Sequence, residues 1–150
     1  MNPYILAALV QLIETANQSD ISTLTNQSSN IVKLANAERA KAGINPLIVN
    51  TVLSKLAAMK AQDMVDNDYF SHYSPTYGSA FDMMKANGIN YIYAGENLAI
   101  DHCANNAHTA WMNSKTHRNN ILNPKFTEIG IGLCAKGRNQ YAYCQMYIGS

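Results

Sequence analysis

The sequence predicts an α+β domain in which helices come first and a β-hairpin comes last. Helical patterns fill most of the chain, and two segments typical of β-strands close it. Helices and strands do not alternate, so the repeating strand–helix–strand order of α/β folds is not expected. A length of 150 residues with 47% hydrophobic residues suits one domain with a real core.

The first thirty residues differ in composition from the rest. Asn2 and Pro3 are typical of a helix start. An apolar stripe at helical spacing follows, formed by Ile5, Leu6, Leu9, Val10 and Ile13. Residues 17–30 are rich in Ser, Thr, Asn and Gln, and we interpret them as a linker or loosely packed arm. The sequence therefore divides into an N-terminal helix and polar linker, residues 1–30, and a domain over residues 31–150.

The apolar run from Tyr4 to Ile13 is too short to cross a bilayer. No Lys or Arg precedes it and no clear small-residue cleavage site follows it, so it makes a poor secretory signal. We expect no transmembrane span.

Hydrophobic periodicity predicts the remaining helices and a final hairpin. The helices are expected over residues 31–42, 52–67, 80–87 and 106–114, and the strands over residues 128–134 and 140–148. Gly43 and Gly88 are typical C-terminal caps. We expect the second of these helices to pack on the sheet that contains Ile129, Ile131 and Leu133, with Trp111 buried beside them. The helix residues expected in that contact are Leu53, Leu56, Ala57, Ala61 and Met64.

The three cysteines fit no zinc-ribbon or thioredoxin spacing. If the hairpin pairs symmetrically about Asn139, Cys134 and Cys144 oppose each other with Cα atoms about 5.5 Å apart, within bridging range. We therefore predict a Cys134–Cys144 disulfide and a free thiol at Cys103.

The charge balance excludes an electrostatic nucleic-acid binder. Eleven basic and ten acidic residues give a net charge of +1, and no block of like charges is present. We expect no nucleic-acid partner.

Three side chains could carry chemistry together: His72, Glu96 and His117. Two imidazoles and a carboxylate can hold a divalent ion such as Zn²⁺. The histidines are far apart in the chain, however, so there is no local metal motif. Taken alone, each histidine is better explained as a capping or core residue than as a ligand. Glu96, beside Gly95, is equally well explained as a structural carboxylate in a tight loop.

Four segments read in order carry a family resemblance. They are NAERAKAGINPLIVN, LSKLAAMKAQDMVDNDYFSHYSP, GENLA and AWMNSKTHRNNILNPKFTEIGIG. Together with the tyrosine-rich final strand, they resemble the bacterial branch of the CAP superfamily, which includes cysteine-rich secretory, antigen 5 and pathogenesis-related 1 proteins. The resemblance covers about residues 31–149. It implies an α-β-α sandwich with a central, mostly antiparallel sheet, and a secreted or cell-surface location.

The resemblance also implies a cleft with two histidines and two acids. His72 in FSHYSP matches the first histidine, Glu96 in AGENLA the first acid and His117 in SKTHRNNIL the second histidine. The second acid usually lies three residues after the tryptophan matched by Trp111, and Ser114 stands there instead. This departure weakens any two-carboxylate mechanism and makes the cleft less anionic.

By resemblance, the expected function is an extracellular binding module. Its cleft would take a small lipid, glycan or peptide ligand, with Zn²⁺ or another divalent cation as a candidate cofactor held by His72 and His117. One alternative is a zinc-dependent hydrolase with Glu96 as general base. Another is an interaction protein with a vestigial cleft. No Ser or Cys is evidently paired with a base, so acyl-enzyme chemistry is disfavoured and we expect binding rather than catalysis.

Overall fold

The computed structural model describes residues 2–150, except for the side chains of residues 12–17, 19 and 20. The described helices are α1 (Pro3–Lys41), α2 (Thr51–Asp66), α3 (Ala80–Ala86), α4 (Ala104–Met112) and α5 (Lys115–Ile121). The described strands are β1 (Ile48–Val49), β2 (Tyr93–Asp101), β3 (Glu128–Lys136) and β4 (Gln140–Gly149).

The strands form one sheet between two helical layers. Their order is β1-β3-β4-β2, with β1 parallel to β3 and the other pairs antiparallel. Buried side chains of α1, α4 and α5 pack on one face, and those of α2 and α3 on the other. This arrangement confirms the predicted α-β-α sandwich with a mostly antiparallel central sheet.

Helix α2 lies directly on the glycines of β3. A Cβ atom at Gly132 would stand 2.0 Å from the backbone nitrogen of Ala58, and one at Gly130 would stand 2.3 Å from the carbonyl carbon of Leu53. Only glycine permits so close an approach of helix backbone to strand. Asn50 begins the helix by accepting a 2.9 Å hydrogen bond from the N–H of Leu53 on its side-chain oxygen.

Helix α2 packs on the predicted sheet and Trp111 is buried beside the three predicted strand residues, but those residues face the other helical layer. Ile129, Ile131 and Leu133 point away from α2 and pack with Trp111, which is 1% exposed, in the layer of α1, α4 and α5. Alternate strand residues face opposite sides, so the glycines meet α2 and the branched side chains meet the other layer. The strand is covered on both faces rather than half-buried.

The interpretation of residues 17–30 as a linker was also wrong, because α1 runs unbroken through them. No proline or glycine lies between Pro3 and Gly43, so nothing interrupts the helix. The C-terminal half gains tertiary packing, with Ile31 and Ala35 fully buried. The predicted cap holds, since Asn2 accepts a 2.9 Å bond from the N–H of Tyr4. The side chain of Ile13, in the predicted stripe, lies outside the described residues.

The disulfide prediction was wrong because the hairpin register differs by two residues from the predicted one. Cys134 pairs with Ala142 and Cys144 with Gly132, so the two cysteines are diagonal rather than opposite. Diagonal neighbours lie about 7–8 Å apart, beyond comfortable bridging range. All three cysteines are free.

Three elements were missed. Strand β1 is only two residues long, α5 was not predicted, and Glu96 lies in the long strand β2 rather than in a tight loop. Within the described residues, no helix is long and apolar enough to cross a membrane.

The close contact between α2 and β3 predicts that a single methyl group added at a β3 glycine destabilises the fold. We expect Gly132→Ala to lower the free energy of unfolding by about 1–3 kcal/mol, because α2 must shift outward. Cys134→Ala on the same strand face is the matched control and should change it much less, since a side chain is already accommodated there. Urea denaturation of the variants measures both, and equal midpoints would show that α2 does not lie on the strand backbone.

Candidate functional site

The site is built around a hydrogen bond between His72 and Glu96. Nδ1 of His72 lies 2.7 Å from Oε1 of Glu96. The imidazole is 64% exposed, whereas the carboxylate is almost completely buried. With Glu96 ionised, Nδ1–H donates to the carboxylate, which leaves the lone pair of the neutral ring on Nε2. A buried anion therefore fixes both the orientation and the tautomer of an exposed imidazole.

Burial raises the pKa of the Glu96 carboxyl above its ordinary value. The hydrogen bond from His72 and the charge of Lys60 oppose that shift without cancelling it. On the other carboxylate oxygen, the thiol of Cys144 lies 3.5 Å from Oε2. Burial raises the pKa of the Cys144 thiol well above its ordinary value, so this group stays protonated and can only donate.

A fully buried lysine lies near this carboxylate. Lys60 projects from α2, and its Nζ donates a 3.3 Å hydrogen bond to the hydroxyl of Tyr69 and lies 4.8 Å from the centroid of that ring. Burial lowers the pKa of Lys60, while Glu96 acts in the opposite direction. Lys60 thus supplies positive charge beneath the His72–Glu96 pair.

The loop that carries His72, residues 67–79, is tied to α2 by Asp63. The carboxylate of Asp63 accepts hydrogen bonds from the side chains of Asn67, Tyr69, Ser74 and Thr76. Burial alone would raise the pKa of Asp63, but these four bonds outweigh it and lower the pKa. Since the donors lie on both sides of His72 in the chain, one buried anion holds the loop.

His117 is positioned from the opposite face of β2. Its carbonyl accepts a 3.1 Å bond from Nδ2 of Asn97, whose side-chain oxygen accepts a 2.8 Å bond from Asn120. Asn97 is fully buried and also reaches Gln145. Burial lowers the pKa of His117, and the charge of His72 lowers it further.

The predicted site residues thus surround the outer edge of β2. His72 and Glu96 are in direct contact, and His117 lies on α5 beside the same strand. Ser114 is the N-cap residue of α5, three positions before His117, and its side chain makes no capping hydrogen bond. It therefore contributes no carboxylate and no observed contact to the pair.

The donor set does not fit a resident zinc centre. Among the described residues, no three His, Cys, Asp or Glu side chains are grouped so that they could hold a metal ion. The carboxylate of Glu96 is engaged by His72, which leaves two imidazoles where zinc sites in proteins usually have at least three protein ligands.

Sequence reasoning missed the residues that position the site. Lys60 and Asp63 lie on the buried face of a helix where apolar side chains are expected, and Tyr69 lies in the loop that follows. Asn97 and Asn120 stand within the quoted motifs but were given no role. The available signal was a lysine and an aspartate at i and i+3 within an apolar helical stripe.

Comparison with known sequences gives the class of protein. The profile of the CAP family, described as the cysteine-rich secretory protein family, matches residues 32–147. The chain belongs to this family.

Two curated relatives come from Bacillus subtilis. The uncharacterized protein YkwD is 49% identical over 129 residues, which cover 85% of this chain and 49% of the relative. The uncharacterized membrane protein YlbC is 34% identical over 113 residues, 75% of this chain and 33% of the relative. The chain therefore spans about half or less of the length of these relatives.

Two solved structures share the fold. An extracellular protein containing an SCP domain from Bacillus anthracis is 33% identical with a TM-score of 0.79, over 85% of this chain and 41% of that chain. A cysteine-rich secretory protein from Staphylococcus aureus has a TM-score of 0.70 at 22% identity, over 85% of this chain and 39% of that chain. The second likeness shows the fold alone.

The electrostatic effect of His72 on His117 predicts that the pKa of His117 changes when His72 is removed. In His72→Ala the pKa of His117 should rise, because a nearby positive charge is removed, yet stay below 6.5, because burial remains the larger cause. NMR titration of His117 in the presence of a chelator measures this. His102→Ala, an exposed histidine bonded to the carbonyl of Asn139, is the matched control. An unchanged His117 titration in His72→Ala would place the imidazoles out of reach of each other.

Proposed function

We propose that this chain is a secreted or surface-displayed binding module whose cleft lies between the loop of residues 67–79 and α5. The observation that carries the proposal is the exposed imidazole of His72, held by the buried carboxylate of Glu96. Maintaining a buried anion costs desolvation free energy. That cost is expected where a donor or acceptor must be presented to a ligand in one fixed orientation.

The surroundings of His72 support a ligand with both polar and apolar parts. Phe70 and Tyr73, on the same loop, are 55% and 67% exposed. Exposed aromatic rings beside an oriented polar group are typical of binding surfaces for glycans, peptides or small amphiphiles. The extracellular location is supported by the B. anthracis relative, whose SCP-domain protein is described as extracellular.

We propose that the cleft binds a divalent cation weakly and exchangeably. Nε2 of His72 and the ring of His117 would be its protein ligands. Binding should weaken as the pH falls, because a protonated imidazole cannot coordinate a cation; the lowered pKa of His117 keeps that ring neutral to lower pH. No step of a reaction is assigned to such an ion.

Calorimetry with zinc tests this part of the proposal. Glu96→Gln should weaken zinc binding by about 10–100-fold, because the partner that orients His72 changes from anion to amide. His117→Ala should abolish measurable binding, since one imidazole remains. His102→Ala is the matched control and should bind as the unaltered chain does. Equal affinity in the unaltered chain and His117→Ala would place the ion elsewhere.

We further propose that the cleft does not hydrolyse peptides. A metallohydrolase needs a firmly held ion and a base within hydrogen-bond reach of its water. Glu96 already accepts the Nδ1–H of His72, and Ser114 supplies no second carboxylate. The engagement of Glu96 and the serine at position 114 support binding over hydrolysis.

A peptide-hydrolysis assay with and without zinc should show no turnover above that of Glu96→Gln. Contaminating protease is controlled by purifying both forms identically. Activity that requires zinc and disappears in Glu96→Gln would establish the hydrolase instead of the binding module.

A further inference from the structure

Strand β3 has an open edge beyond the short strand β1. The N–H groups of Ile48 and Asn50 donate to the carbonyls of Thr127 and Ile129, at 3.0 and 2.9 Å. Odd-numbered residues of β3 therefore direct their backbone groups toward this edge, and even-numbered ones toward β4. After Asn50 the chain turns into α2, so β1 goes no further.

The next backbone groups along the edge are only partly satisfied. The N–H of Ile131 donates to Oγ of Ser54 at 3.3 Å. In the described part of the chain, the carbonyl of Ile131 and both backbone groups of Leu133 have no protein partner outside the sheet. Leu133 is only 8% exposed. Backbone groups at such depth are normally paired with protein, ligand or ordered water.

At the opposite edge of the sheet, formed by β2, side chains accept part of the task of pairing the outward backbone groups. On β2 the outward carbonyls of Glu96 and Leu98 accept hydrogen bonds from the side chains of Asn120 and Trp111, at 3.3 and 2.9 Å. Side chains of the fold therefore satisfy two outward carbonyls of this edge. The fold leaves the edge of β3 from Ile131 to Ala135 open.

A groove of 660 Å³ lies over the open edge, between α1 and α2. We call it the edge groove. Its lining residues on α1 include Leu24, Ser28 and Val32, and on α2 Ser54 and Ala58. A second groove of 350 Å³ shares Leu24 and Leu133 and continues to Ala135. Together they follow the strand over the whole open segment, about 16 Å at 3.3 Å per residue.

We propose that the edge groove binds an extended peptide segment, which adds to the sheet as a strand along residues 131–135 of β3. Strand addition satisfies the backbone groups of Leu133 and the carbonyl of Ile131 with main-chain hydrogen bonds. A purely apolar ligand such as an acyl chain would fill the same volume but leave those groups unpaired, which is costly at this depth. The open backbone therefore selects a peptide over a lipid.

The residues that line the edge groove indicate which peptide side chains it would accept. Leu24, Val32 and Val49 provide apolar contacts, so alternate side chains of the peptide should be apolar. Lys33 is the only charged residue in that lining, which favours an acidic side chain at its end. This site lies at the opposite edge of the sheet from His72 and does not depend on the function proposed for that cleft.

A peptide library on the intact chain tests the proposal. The probe is an acetylated hexapeptide library of Val, Ile, Thr, Tyr and Asp, compared with the same library N-methylated at alternate amides. Methylation keeps the side chains but removes main-chain donors, so we expect saturable binding to fall at least tenfold. The amide signals of Leu133 and Ala135 should shift on binding, whereas those around His72 should not.

Blocking the groove provides the protein-side control. Ser28→Trp should abolish binding, while Ser22→Trp, an exposed position of the same helix outside the lining, should retain it. His72→Ala should also retain it. No saturable binding to the unaltered chain, equal binding of both libraries, or shifts confined to residues around His72 would each overturn the proposal.

Discussion

The structure depends on the contact between the backbone of α2 and the glycine face of β3. With 2.0 Å separating Ala58 from a would-be Cβ of Gly132, the depth of the helix is fixed by backbone rather than by side chains. Helix α2 in turn carries Lys60 and Asp63 on its buried face. Their position under the His72 loop follows from Gly130 and Gly132, which lie in a strand much further along the chain. The same contact leaves the small residues Ser54 and Ala58 beside the open edge of β3.

The buried charges beneath His72 cost stability. Burial opposes the charged forms of both Lys60 and Glu96, and Lys60 has a single described hydrogen bond, to the hydroxyl of Tyr69. Replacing such groups by well-packed apolar side chains is often neutral or stabilising. Their combined arrangement is better explained by the site than by the fold, because the exposed imidazole has one fixed orientation only while the carboxylate beneath it remains an anion.

The sequence predicted the fold class, the family, most helices and both hairpin strands, because these depend on periodicity and on an ordered set of motifs. It failed where local composition and tertiary packing disagree. Residues 17–30 have the composition of a linker but form a helix, since Ile31 and Ala35 anchor the following turns. The motif residues His72, Glu96 and His117 were found, yet Asp63, whose four hydrogen bonds hold the loop, was not. A register shift of two residues separated Cys134 from Cys144, and sequence symmetry could not show it.

The two edges of the sheet have different chemistry, and this difference limits what each can do. At the β2 edge Asn120 and Trp111 cap two outward carbonyls, and under the proposed function a ligand there is recognised chiefly by the imidazole that Glu96 orients. The same hydrogen bond engages the carboxylate of Glu96, which supports the proposal of binding over hydrolysis. At the β3 edge the main chain itself is open, and recognition there is determined by backbone hydrogen bonds, with side chains setting only the preference among extended segments.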